Sequence, residues 1–149
     1  MKILLIEDDL NKMRRIAAEI QGFRNDILVS EARSYRSGMQ HLMSDKFDFV
    51  LVDMSLPTFD ITRDEDGFQI DPFSGRTILA EMDRKGINTK TLVITMFETF
   101  GEDKDLMTLA ELDRELREQY PQIYVGAIYY NSAEVNWKDG LKKVLQGSK

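Results

Sequence analysis

Three short apolar runs in this chain each end in side chains able to do chemistry. Ile3-Leu4-Leu5-Ile6 runs into Glu7-Asp8-Asp9, Phe49-Val50-Leu51-Val52 into Asp53, and Leu92-Val93-Ile94 into Thr95. In an open parallel sheet, ligands bind beyond the carboxyl ends of the strands. Runs of this kind, side by side in such a sheet, bring Glu7, Asp8, Asp53 and the Thr95 hydroxyl to one edge. Carboxylate and water oxygens suit Mg²⁺, which binds through one or two acids and keeps waters for a phosphate ligand. A carboxylate beside such an ion can act as the nucleophile in phosphoryl transfer.

The rest of the pattern supplies the scaffold. Met13, Ile16, Ala17 and Ile20 recur at helical spacing after the first run, with Gly22 expected to stop that helix. Ile27 to Ser30 reads as a second strand. Tyr35, Met39, Leu42 and Met43 mark the next helix face, with Ser34 as its N-cap. A third helix is expected from Ser74 to Arg84, burying Ile78, Leu79 and Met82. The fourth strand runs from Thr91 to Met96. Leu106, Leu109, Leu112 and Leu116 mark a long acidic helix closed by Tyr120-Pro121. Ile123 to Tyr130 is the fifth strand, and Trp137, Leu141, Val144 and Leu145 form the buried face of a last helix. Five β-then-α units in succession imply an α/β fold, a doubly wound five-stranded parallel sheet with helices on both faces. No Pro/Gly/Ser-rich linker and no internal repeat divides the chain, so 1–149 is read as a single domain.

Composition removes several classes of function. The chain has 149 residues and no cysteine, which excludes disulfides, thiolate metal sites and cysteine nucleophiles. A formal net charge of −6 is the wrong sign for direct nucleic-acid binding. No apolar run is long enough to span a bilayer, and three carboxylates at positions 7–9 do not fit a signal peptide. The expectation is a cytoplasmic protein that contacts neither nucleic acid nor membrane. The one histidine, His41, falls inside a helix and is read as a helix residue without chemistry.

At this point a family resemblance becomes specific. Lys2-Ile3-Leu4-Leu5-Ile6-Glu7-Asp8-Asp9 resembles the opening of response-regulator receiver domains, whose first strand ends in an acidic pair. Phe49-Val50-Leu51-Val52-Asp53-Met54-Ser55-Leu56-Pro57 is similar to their third strand, and Leu92-Val93-Ile94-Thr95 to their fourth. The resemblance covers essentially the whole chain and implies the flavodoxin-like topology, strand order 2-1-3-4-5. It implies that Asp53 accepts a phosphoryl group from a phosphohistidine donor. Asp8 would hold Mg²⁺ directly, Glu7 would help through water, and the backbone carbonyl of Ser55 would complete the ligands along with Asp53. Thr95 would bond a phosphoryl oxygen. A histidine kinase or phosphotransfer protein would be the upstream partner. Singly, each residue has an ordinary explanation: Asp9 as a helix cap, Thr95 as a strand-end hydroxyl, Leu56-Pro57 as a strand stop.

The chain departs from that family in three places. Receivers usually carry a lysine at the end of strand five; here Asn131, or Ser132 under a one-residue shift, stands there without a positive charge. Losing one preorganised donor in such a site costs about 2.7–4 kcal/mol of transition-state stabilisation. Asn131 could donate a hydrogen bond, and Lys90, Arg76 and Lys138 are candidate replacement cations. Second, an acidic insertion near 58–73 contains Asp60, Asp64, Glu65, Asp66 and Asp71. Asp64-Glu65-Asp66-Gly67 looks like part of a calcium loop. With Gly67 as its sixth position, however, Thr62 and Phe73 fall where acids are required, so the segment is read as an acidic loop beside the site. Third, the fourth-helix region near 98–121 is enlarged and holds eight acids from Glu98 to Glu118. It is either a solvated face or a surface for a partner. Tyr129 and Tyr130 beside it are an aromatic switch or ordinary buried strand residues.

Two functions remain open from the sequence. One is a signalling receiver phosphorylated on Asp53, whose catalysis is at most self-phosphorylation and autodephosphorylation. The other is a pseudo-receiver, a protein-interaction module that kept the fold without the chemistry. A phosphatase of the haloacid dehalogenase type would need a second aspartate two residues after the first, and Asp53-Met54-Ser55 lacks it. After Leu145 only Gln146-Gly147-Ser148-Lys149 follows, so output is expected through contact with an unknown downstream protein, unless the chain is a fragment of a larger one.

Overall fold

The computed structural model describes residues 1–60 and 70–147. Its main sheet has five parallel strands, β1 (Lys2–Ile6), β2 (Leu28–Ala32), β3 (Phe49–Val52), β6 (Lys90–Thr95) and β9 (Tyr124–Tyr129). Their order is β2-β1-β3-β6-β9, which is 2-1-3-4-5 when only these five are counted. Five helices connect them: α1 (Leu10–Phe23), α2 (Tyr35–Ser44), α3 (Ser74–Arg84), α4 (Leu109–Gln119) and α5 (Asn136–Gln146).

The inner strands are buried on both faces, so strict alternation decides which core each side chain joins. Leu4, Ile6, Val50, Val52 and Val93 pack with Met39 and Leu42 of α2, Ile78, Leu79 and Met82 of α3, and Leu112 and Leu116 of α4. Ile3, Leu5, Phe49, Leu51, Leu92 and Ile94 pack on the other face with Met13, Ile16 and Ile20 of α1 and Trp137, Leu141 and Leu145 of α5. Among the described residues, the second layer is formed by α1 and α5.

Two short antiparallel pairs stand beyond the carboxyl ends of the sheet. β4 (Leu56–Pro57) pairs with β5 (Ile70–Asp71) after β3, and β7 (Thr99–Phe100) pairs with β8 (Met107–Thr108) after β6. They occupy parts of the two stretches that sequence marked as enlarged. The acidic run Asp64-Glu65-Asp66-Gly67, read as part of a loop beside the site, lies outside the described residues.

Several local expectations hold and others need correction. Ser34 caps α2 through a reciprocal pair of bonds with Ser37, and α3 spans Ser74–Arg84 as its apolar spacing implies. Gly22 does not stop α1: the helix continues through Phe23, because helical geometry tolerates a glycine in the last turn. Met43 is exposed, since α2 turns Gly38, Met39 and Leu42 inward instead. Leu106 is also exposed and precedes α4, which starts at Leu109 behind a Thr108–Glu111 capping box. His41 lies in the last turn of α2 with its ring edge-on to Phe47. Among the described residues, no helix is long and apolar enough to cross a membrane.

Candidate functional site

Register brings the acids together. Ile6 of β1 lies beside Val52 of β3, and Asp53 N–H continues the ladder by donating to the Ile6 carbonyl at 3.0 Å. Ile6 and Val52 face the layer of α2, α3 and α4, so the next residues, Glu7 and Asp53, turn toward α1. Asp8 joins them, and one carboxylate oxygen from each of Glu7, Asp8 and Asp53 lies within 4.8 Å of the others. Glu7 and Asp53 are buried and Asp8 is half-buried.

The surroundings fix each group. Asp53 Oδ1 accepts the Met54 N–H at 2.7 Å, which orients the carboxylate. Gly75, at the start of α3, donates its N–H to the Met54 carbonyl at 2.9 Å. A Cβ on Gly75 would come within 2.9 Å of the Asp53 carbonyl oxygen, so this approach of α3 to the loop after β3 requires glycine. Glu7 Oε2 accepts the Asp9 N–H at 3.0 Å. Asp9 itself caps α1, accepting the Lys12 N–H at 3.1 Å.

The cleft above these acids has a volume of roughly 330 Å³. Glu7, Asp8, Asp53 and Ser55 line its acidic part, and Met96, Phe97 and Phe100 give it an apolar wall. Ile70 and Pro72 close the side supplied by the segment after β3. Thr95 is fully buried at the end of β6, where its hydroxyl accepts the Phe97 N–H at 3.2 Å.

One residue at the centre was missed by the sequence reading. Lys12 of α1 is 1% exposed, and its Nζ lies 2.5 Å from Glu7 Oε1 and 3.4 Å from Asp53 Oδ2. It also donates to the Ile94 carbonyl at 2.7 Å. The three candidate replacement cations are engaged elsewhere. Lys90 donates to the Gln122 carbonyl, Arg76 pairs with Glu115, and Lys138 pairs with Glu19. Asn131 turns its carboxamide oxygen back to accept the Ala133 N–H at 3.0 Å. The two adjacent tyrosines separate: Tyr130 is buried against Trp137, whereas Tyr129 is exposed.

Burial and the neighbouring Asp53 charge push Glu7 up to about 8, with the Lys12 ammonium opposing them. Asp8 is raised for the same two reasons, burial first and Asp53 second. Once all three are ionised, the three carboxyl groups against one ammonium leave the cluster short of positive charge. Glu7 Oε1 is buried and accepts no well-directed hydrogen bond, its only compensation being the ion pair. Two oxygens on opposite sides of Mg²⁺ are about 4 Å apart, from bonds of ~2.0–2.1 Å, so the cluster has the size and donor chemistry for one small divalent cation.

No protein-family model matches the chain. The Detocs response regulatory protein DtcB of Enterobacter cloacae is 30% identical over 150 residues, covering 98% of this chain and 99% of that protein. The chain belongs to the response-regulator receiver family. This receiver is also 33% identical over 145 residues to the uncharacterized protein y4jR of Sinorhizobium fredii, with 95% of each chain covered. Among solved structures, the same fold occurs in response regulator TrrA of Thermotoga maritima, solved in complex with Mg²⁺-BeF. The TM-score is 0.64 at 14% identity, over 99% of this receiver and 98% of TrrA. The phosphorylated cyanobacterial phytochrome response regulator RcpA matches with a TM-score of 0.65 at 18% identity, over 97% of this receiver and 91% of RcpA.

Proposed function

We propose that this receiver accepts a phosphoryl group on Asp53 from a phosphohistidine donor, a histidine kinase or phosphotransfer protein, and signals by protein contact. The observation that carries the reading is the placement of Asp53. It is a buried, backbone-oriented carboxylate at the floor of an open cleft, within one cation's reach of Glu7 and Asp8. The relationship to a response regulatory protein, and the Mg²⁺-BeF complex and phosphorylated state of two structural relatives, support it.

Asp8, Glu7, Asp53 and the backbone carbonyl of Ser55 would hold Mg²⁺, which when bound neutralises phosphoryl charge. The chain's own residues do the rest. The Met54 N–H fixes one oxygen of Asp53. A carboxylate oxygen of Asp53 bonds to phosphorus as the donor P–N bond breaks, the electron pair staying on the ring nitrogen, which carries or takes up a proton. Thr95 is the residue assigned to a phosphoryl oxygen, and Asn131 can offer its amide N–H₂ but no charge. Met96, Phe97 and Phe100 limit water at the acyl phosphate from one side.

Residues 1–149 act in this reading as one receiver unit, elaborated near 58–73 and 98–121. The face carrying α4, β9 and α5 transmits the state of Asp53 to the downstream protein. The test is intact mass after incubation with Mg²⁺ and phosphoramidate, comparing the native chain with Asp53→Asn. A gain of one phosphate on the native chain alone is expected. No gain on either, or a gain on both, overturns the assignment.

A further inference from the structure

We infer that Lys12, projecting from α1, is a catalytic residue that supplies the positive charge absent from the end of β9. The inference rests on phosphorylation at Asp53. Lysine is almost never fully buried unless paired, and burying an ammonium carries a desolvation penalty that an apolar side chain at the same place would avoid. Lys12 nevertheless occupies the apolar stripe of α1, in line with Ile16 and Ile20 at intervals of four residues, where a leucine would fit the pattern.

Its three contacts define a role. The pair with Glu7 at 2.5 Å and the bond to the Ile94 carbonyl at 2.7 Å anchor the ammonium from two strands. The third contact, to Asp53 Oδ2, is longer at 3.4 Å. That is an ion-pair distance beyond the ordinary hydrogen-bond range, so this third N–H is weakly committed. It is directed at the carboxylate that forms the new O–P bond. As the phosphoryl group arrives and the donor P–N bond breaks, negative charge gathers on the phosphoryl oxygens beside Asp53. An ammonium already held there stabilises that charge without reorganising.

The end of β9 is built to support this placement rather than compete with it. The buried Tyr130 ring lies 5.8 Å from Lys12 Nζ and packs at a tilt against Trp137, shielding the ammonium from solvent. Arg15, one turn further along α1, donates to the Ser132 carbonyl at 3.0 Å and lies over the same ring. The segment where the family places its lysine is thus occupied by an aromatic wall, with α1 docked on it by a second cation.

The test measures two quantities on the native chain, Lys12→Gln and Asp53→Asn: the rate of phosphate gain from phosphoramidate at saturating Mg²⁺, and Mg²⁺ affinity by calorimetry. Lys12→Gln should label at least about 100-fold more slowly. It should also bind Mg²⁺ as tightly as the native chain or more tightly, because a competing cation has left the acidic cluster. A merely structural lysine would weaken both together. A native labelling rate in Lys12→Gln overturns the role of Lys12 and leaves the receiver reading standing. A native chain that never labels overturns the receiver reading and this role with it. Should Lys12→Gln fail to fold, the paired variant Glu7→Gln/Lys12→Met removes both charges of the ion pair and is compared with Glu7→Gln alone. A further loss of about 100-fold is expected, and equal rates overturn the inference.

Discussion

The start of α1 and the end of β9 flank the same carboxylate cluster and are equipped in opposite ways. α1 sends a buried ammonium to within 3.4 Å of Asp53. The end of β9 contributes the Tyr130 ring and a turn in which Asn131 is hydrogen-bonded to its own neighbour at Ala133. The difference shows that a positive charge beside a strand-end carboxylate cluster is not tied to one strand. Any element in the layer that Glu7 and Asp53 face can deliver it, and α1 belongs to that layer.

The sharpest way to break this comparison is at the residue both regions serve. Asp53→Asn keeps the shape and removes the proposed nucleophile, so phosphate gain should vanish entirely in the mass spectrum. Next in size is the contrast between the two flanks. Lys12→Gln should slow labelling by about two orders of magnitude or more, whereas Asn131→Ala should change it by less than about threefold, measured as labelling rates side by side. Comparable losses in the two variants would place the work at both ends and dissolve the distinction.

A pH experiment separates the cluster from the rest of the fold. Glu7 is raised from 4.5 to about 8 in the folded chain. Between those values the folded state holds a proton that the unfolded chain has released, so stability falls as pH rises across that window. The metal-free chain should therefore lose melting temperature between about pH 5 and pH 8. Glu7→Gln should remove most of that slope, and an unchanged slope would mean that other groups carry it. Mg²⁺ binding needs the deprotonated carboxylate, so its affinity should rise over the same window.

The smallest effect concerns the outer layer near β9. The Tyr124 hydroxyl donates to Asp113 Oδ1 at 2.6 Å, joining β9 to α4, and burial together with this bond raises the tyrosine well above its ordinary value. Tyr124→Phe should cost about 1 kcal/mol in denaturant unfolding, a typical net value for one hydrogen bond. Labelling of Asp53 should be unaffected if the two cores are as separate as their packing implies.

Much of this molecule was legible in residue order. The runs Ile3–Ile6 and Phe49–Val52 form β1 and β3, and the helix at Ser74–Arg84 has the bounds its apolar spacing implies. Glu7, Asp8 and Asp53 stand together as expected, because a parallel sheet aligns the carboxyl ends of its strands. Errors arose where a side chain could satisfy a pattern and still face elsewhere. Met43 and Leu106 fit helical spacing but are exposed, and Gly22 lies inside the last turn of α1.

Lys12 was the larger omission, and its signal was present: a lysine on the stripe of Met13, Ile16 and Ile20, five residues after Glu7. On a helix considered alone, such a residue passes for a boundary charge whose stem covers apolar surface while its head reaches water. Sequence by itself determined the acids that follow β1 and β3 and the order of the five units, because periodicity and chain direction are local properties. Which cation meets those acids was decided only by tertiary structure. It depends on the sheet face to which alternation turns Glu7 and Asp53, and on the rotation at which α1 docks against that face.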